Sequence, residues 1–396
     1  MTYRQTRYNP DADWREITGD GELSALIDEI LANGIYALDT EFHTERTYFP
    51  RLALLQIACG GKVFLIDPFC VDLSLLKKLL ASEALLVLHA GDQDLRILYD
   101  TCAMLPKKFF DTQLSARFLG FSGASLSLLS EKLLGVTLNK LNQLSDWTKR
   151  PLSEEQKFYA ANDVRYLIRL YEILKSKLTR LGRLDWSEEE SLRLLAKSRE
   201  LSDPREAWWK IKNAGRLKGV YRGVAQEAAA WREEQARSKN IPVRRICSDL
   251  ALASVIHSPL RSPEDILAVR DIELSPSDAE SFFAALKRGM SLPETELRLP
   301  PKPAPDDSAS KPLIGLAMTY VAQKAIELDI DQPMLATKED LTVFYQSGSD
   351  GGLIANSWRF SLIGEQLQSL SRGEVALAFD GEGSVILEQR SHVAAN

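Results

Sequence analysis

Residues 35–67 carry three apolar runs in close succession, IYALDTEF, RLALLQIA and VFLID, and this stretch constrains the fold more than any other. An eight-residue loop with Pro50 separates the first two, and the turn CGGK separates the last two. Runs this short, bounded by turn residues, read as strands, and short connections make neighbouring strands antiparallel. A three-strand meander is therefore expected. The segments after it must cover its faces: DLSLLKKLLAS has helical spacing, ALLVLHA reads as a short buried strand, and GDQDLRILYD reads as a helix. This alternation is the α/β signature. From Asp111 onward the spacing predicts helix throughout. The longest segment, SEEQKFYAANDVRYLIRLYEILKSKL, opens with Ser153 and Gln156 in capping-box spacing.

The first strand ends in carboxylates. Asp39 and Glu41 are two residues apart, so a strand points them to the same side, a few ångströms from each other. Two readings are open: they solubilise a strand end, or a cation sits between them. A cation needs further oxygen ligands from elsewhere in the fold. Asp94 follows ALLVLHA at a strand-to-helix handover, a usual place for site residues in α/β sheets. Asp163 lies in mid-helix four residues after Tyr159, so both share a face, with a salt bridge to Arg165 as the alternative.

Taken in order, LDTEF, HAGDQDL and YAANDVRYL resemble the three motifs of the DEDD superfamily of 3′-to-5′ exonucleases, and more particularly those of the ribonuclease D family. LDTEFHTERTYFPRLALLQIA is similar to that family's first motif and following strand, FFDTQLSARFLG to its connecting helix, and LSDWTKRPLSEEQKFYAANDVRYL to its third motif. The resemblance spans roughly residues 15–180 and implies an α/β, ribonuclease H-like exonuclease domain with a mixed sheet flanked by helices. It also implies that Asp39, Glu41, Asp94 and Asp163 hold two divalent ions, Mg2+ or Mn2+. Asp39 would bridge them, Glu41 and Asp163 would hold the one that activates water, and Asp94 would support the other through water. Tyr159, preceded by Phe158, marks the subtype in which a tyrosine orients the nucleophile. His89 is implied to be a structural or a substrate-near residue, and counts as a candidate nucleic-acid contact. Asp92 lacks the family spacing from His89; His43 is expected at the surface of a loop in which Arg46, Tyr48 and Arg51 either are solvated or touch RNA.

The 396 residues exceed one ordinary core, and 45% hydrophobic content is that of a globular protein. The amino terminus lacks a signal pattern, and no run approaches the ~20 apolar residues that span a bilayer, so a cytoplasmic location is expected. Cys59, Cys70, Cys102 and Cys247 form no paired motif and read as buried reduced thiols. The formal net charge of −6 argues against nucleic acid, yet residues 205–245 carry eleven Lys/Arg against four Glu, a local +7. Arg216, Lys218, Arg222, Arg244 and Arg245 are the candidate phosphate contacts, while Trp208, Trp209 and Trp231 read as core. The stretch containing Trp231-Arg232 and the NIP turn resembles the HRDC domain, and the final segment resembles a second HRDC-like module.

The expected organisation is an exonuclease domain over 1–195, closed by the charged GRLDWSEEES, an all-α HRDC domain over 205–291, a Pro-rich linker over 292–312, and a second HRDC-like helical domain over 313–396. EVALAFDGEGSVILEQ at the end reads as a hairpin. The implied activity is hydrolysis of RNA from the 3′ end to 5′-nucleotides, with tRNA precursors as substrate and no obligate protein partner evident. A DNA exonuclease of the same superfamily and a catalytically inactive nucleic-acid-binding protein are the alternatives.

Overall fold

The three apolar runs form adjacent strands of one mixed sheet. The structure, a computed structural model, describes residues 14–138, 145–200, 203–258, 260–270, 272–300, 311–348 and 351–391, with the backbone of residues 4–5. The sheet contains β1 (Trp14–Ile17), β2 (Ile35–His43), β3 (Arg51–Cys59), β4 (Lys62–Ile66), β5 (Leu85–Leu88) and β6 (Lys108–Asp111), in the order β1-β4-β3-β2-β5-β6. The meander β2-β3-β4 is antiparallel, and the outer pairs β1-β4, β2-β5 and β5-β6 are parallel.

Helices cover both faces because strand alternation makes both faces apolar. On one side Tyr36, Leu38, Leu55 and Ile57 pack with α1 (Asp20–Asn33) and α2 (Asp92–Cys102). On the other, Ala37, Leu54, Ala58 and Leu65 pack with α3 (Glu154–Arg165) and α4 (Leu167–Arg180). The Ser153–Gln156 capping box is formed in both directions.

Several expectations are corrected. The longest predicted helix breaks at Tyr166 into α3 and α4. FFDTQLSARFLG is a strand end followed by a helix over Thr112–Arg117 only, and Val136–Thr137 is a short strand rather than helix. GRLDWSEEES starts at the turn that ends α4, with Gly182 at φ +65°, and runs on into α5 (Leu184–Arg199). Cys70 is exposed, whereas Cys59, Cys102 and Cys247 are buried.

Residues 203–300 pack around Trp208, Trp231 and Phe282, with Trp231 stacked on Phe282 at 4.3 Å. The helices of this module are not all short, since α6 (Val220–Lys239) has 20 residues and α7 (Pro276–Met290) has 15. They approach so closely that a Cβ on Gly289 would lie 2.6 Å from the Gly223 carbonyl oxygen. Trp208 and Trp209 donate their indole N–H groups to the carbonyl of Arg298, at 3.0 and 2.7 Å, so the start of the Pro-rich segment lies against this module. Residues 301–310 of that segment lie outside the described residues.

The C-terminal helices, led by α8 (Lys311–Leu328), share the apolar layer beneath α4. Trp358 stacks on Trp186 at 4.7 Å, and Arg359 pairs with Glu190 at 2.6 Å in a nearly dry contact. The final hairpin forms as expected, β7 (Val375–Phe379) against β8 (Val385–Gln389). Among the described residues, no helix is long and apolar enough to cross a membrane.

Candidate active site

Antiparallel pairing sets Asp39 opposite Gln56 and Glu41 opposite Leu54, and the register shifts between Glu41 and Phe42. Regular pairing is thus interrupted just past the two acids, as bulges near active sites often do. Two helices on opposite faces of the sheet deliver the remaining acids to this strand end. Asp163 comes from α3. Asp94 comes from the first turn of α2, where its Oδ1 accepts a 2.5 Å hydrogen bond from the Thr40 hydroxyl.

The entry into α2 is itself held in place. Ala90 has φ +58°, and a Cβ on Gly91 would come within 2.6 Å of Leu88 Cδ1. Asp111, at the end of β6, accepts from the backbone N–H groups of Ala90 and Gly91 at 3.3 and 2.8 Å, and from Leu114 at 2.9 Å. It therefore fixes the loop before Asp94 while capping the next helix.

A cavity of about 390 Å³ opens over this strand end, lined by Asp39, Glu41, His89, Asp94, Tyr159 and Asp163 among others. Carboxylate oxygens of Asp39, Glu41 and Asp163 lie within 4.8 Å of one another. Asp94 stands outside that trio but lines the same cavity. Burial raises all four carboxyls, to about 9 for Glu41, about 7 for Asp163 and about 6 for Asp94, with Asp39 pushed well up. Asp94, Asp163 and Glu41 each add their repulsion to Asp39, so it is the centre of the cluster. Several acids that disfavour one another's charge in a partly dry cavity form a donor set that fits a hard divalent cation. Burial, then the charges of Asp163, Glu41 and Asp39, pushes the Tyr159 hydroxyl up, so it stays protonated at neutral pH, hydrogen-bonded to Asp163.

His89 borders the cavity. Its Nδ1 lies 2.9 Å from the Thr112 hydroxyl, which donates to the Leu88 carbonyl. With that proton committed, Nδ1 carries the imidazole's hydrogen and Nε2 is left as an acceptor. Burial lowers the pKa of the ring, which favours the neutral form. Asp92 instead points toward Lys197, 3.2 Å away.

The five basic candidate RNA contacts do not line this cavity. Arg216, Lys218, Arg244 and Arg245 are exposed, and Arg222 is half-buried with Nε donating to the Leu217 carbonyl. Arg244 reaches the carbonyl of Glu45 at 3.4 Å. Other basic residues of the stretch serve the fold: Arg232 pairs with Asp249 at 2.6 Å and Lys239 with Asp278 at 2.9 Å. The loop after β2 is docked rather than solvated, since Tyr48 donates to Glu233 at 2.6 Å and the Phe49 N–H donates to Asn240 at 3.0 Å. Arg51 lies over the Phe69 ring at 4.6 Å, while Arg46 is exposed and His43 Nε2 lies 3.8 Å from Glu45. Thr40, Asp111 and Thr112 carry no signal in the sequence, because each acts through a partner brought near only by folding.

A half-open acidic cavity at the end of a central strand, fed by helices from both faces, defines an exonuclease of the ribonuclease H-like class, and residues 14–179 match the family model of the 3′-5′ exonuclease domain. Residues 222–276 match the HRDC domain. The chain is 34% identical to ribonuclease D of Jannaschia sp. (strain CCS1) over 94% of its length and 99% of that protein, and 31% identical to ribonuclease D of Granulibacter bethesdensis over 92% and 94%. The crystal structure of Escherichia coli RNase D, described as an exoribonuclease involved in structured RNA processing, superposes with a TM-score of 0.78 at 28% identity, covering 91% of this chain and 99% of that one. The chain belongs to the ribonuclease D family of metal-dependent 3′-5′ exoribonucleases.

Proposed function

We propose that the chain removes 5′-nucleotides one at a time from the 3′ ends of structured RNA precursors in the cytoplasm, those of tRNA above all, using two divalent ions, Mg2+ or Mn2+. The observation that carries this reading is the convergence of Asp39, Glu41, Asp94 and Asp163 with Tyr159 on one cavity. Bound there, divalent ions supply Lewis acidity at the phosphate and a hydroxide-like nucleophile at neutral pH. Asp39, central in the cluster, would help hold both ions, together with Glu41, Asp163 and Asp94. Tyr159, kept protonated, is a donor and not a base, so it orients the attacking water beside Asp163. Neutral His89 offers Nε2 to a hydroxyl of the terminal nucleotide.

Residues 1–195 form the catalytic unit in this reading, 205–291 an RNA-binding HRDC domain, and 313–396 a second HRDC-like module docked on the catalytic unit. Arg216, Lys218, Arg222, Arg244 and Arg245 contact phosphates. The test is to incubate the protein with 3′-extended tRNA, single-stranded DNA and duplex RNA, in Mg2+, Mn2+ or EDTA, and follow product lengths. Stepwise shortening of the tRNA extension, absent in EDTA, is expected. Shortening of DNA alone, or undiminished cleavage in EDTA, refutes the reading.

A further inference from the structure

Gln56 lies in the middle of β3 with none of its surface exposed, and neither its amide nitrogen nor its amide oxygen has a hydrogen-bond partner. Leaving a buried polar group unpaired is destabilising, and a leucine at this position would avoid it. The cost calls for a reason, and the register of the sheet supplies one. Gln56 is directly opposite Asp39 on β2 and opposite Leu65 on β4. Residues so paired project to the same face with Cβ atoms about 4.5–5.5 Å apart. Along its own strand the same-face neighbours are Leu54 and Ala58, and the helix above presents Ala160, Ala161 and Val164. Of these neighbours Asp39 alone is polar.

We propose that Gln56 is a positioning residue for Asp39: its amide N–H turns to donate to the Asp39 oxygen on the core side, leaving the other oxygen in the cavity for a divalent cation. This inference rests on the metal-site reading and deepens it. A carboxylate that binds a cation through one edge has its orientation fixed by what holds the other, and removing such a partner typically weakens metal binding by 10–100-fold. The amide suits this task better than a charged group would, since it adds a donor to an acid cluster without adding charge to a dry layer.

The experiment uses the full chain with Gln56→Leu and Gln56→Met, the second matching the length of glutamine. Mn2+ affinity is measured by calorimetry, melting temperature in EDTA is recorded in parallel, and steady-state kinetics are followed across Mn2+ concentration. The expected result is a Mn2+ Kd raised about 10–100-fold, a melting temperature equal to or above that of the unaltered protein, an unchanged KM for RNA, and recovery of kcat at saturating Mn2+. Unaltered Mn2+ affinity in the Leu and Met variants overturns the proposal, as does a weakened affinity accompanied by a lowered melting temperature in both, which assigns Gln56 to packing. Asp39→Asn is the control. If it loses Mn2+ affinity and the Gln56 variants do not, the Gln56 inference fails alone; if it binds Mn2+ normally, the metal-site reading fails and takes the inference with it.

Discussion

Replacing Asp163 by asparagine should make the metal-free protein more stable at pH 8 while removing its activity. Burial raises the Asp163 carboxyl from near 3.8 to about 7. A carboxyl raised in this way favours the folded state in its protonated form, so that stabilisation is fully present below the unfolded value and is lost as pH rises through 7. The lost amount is the displacement, about 7 less 3.8, at ~1.4 kcal/mol per unit, or about 4 kcal/mol once pH exceeds 7. Water in the open cavity screens part of this, leaving roughly 2–4 kcal/mol. Asparagine carries no charge to lose, and its carbonyl still accepts from Tyr159. At 2–4 °C per kcal/mol for a domain of this size, the variant should melt about 5–15 °C higher than the unaltered protein at pH 8 in EDTA, and by much less at pH 4.5. Thermal denaturation followed by circular dichroism at the two pH values, with RNA cleavage in Mg2+ measured alongside, provides the check. An equal shift at both pH values, or destabilisation at pH 8, refutes the electrostatic reasoning; retained cleavage refutes the role of Asp163.

Tyr159→Phe keeps the ring against Trp147, 6.0 Å away, but removes the hydroxyl, so kcat should fall roughly 100-fold with KM little changed in steady-state assays. Substituting alanine at Arg216, Lys218 and Arg245 together should flatten the slope of log K against log salt for RNA binding by about 2–2.7, three phosphate contacts at 0.7–0.9 each, measured on a catalytically inactive background; a parallel slope would place the RNA elsewhere. Tyr48→Phe, which loses the 2.6 Å bond to Glu233, should speed hydrogen exchange in residues 44–50 with little change elsewhere.

What could be read from the sequence was what depends on short range. The meander 35–66 was legible because strand period and turn residues are local signals, and so was the start of α3, because a capping box is complete within four residues. The break at Tyr166 was not, since α3 and α4 carry continuous helical spacing and the bend answers to packing. Charge counting was similarly blind to partners. It gave residues 205–245 their surplus, but Arg232 and Lys239 satisfy Asp249 and Asp278, and Arg237 lies over the Tyr48 ring at 5.7 Å. Part of that positive charge therefore ties the helical module together and to the exonuclease loop rather than facing solvent.

The site divides along the same line. Asp39 and Glu41 declare themselves as a pair, because two acids at strand spacing must share a face. Asp94 and Asp163 could be joined to them only through the order and spacing of whole motifs, since nothing local places helices from opposite sides of a sheet at one strand end. The groups that aim these acids carried no signal of their own: Thr40 looks like any strand threonine until its hydroxyl is found 2.5 Å from Asp94, and Asp111 looks like a helix cap until it is also seen holding the N–H groups of Ala90 and Gly91. Gln56 looks like a lapse in an apolar strand. Ligand identity is written in residue types, whereas ligand orientation is written in contacts between elements. Sequence reading therefore finds the acids that hold charge more readily than the groups that set where that charge points.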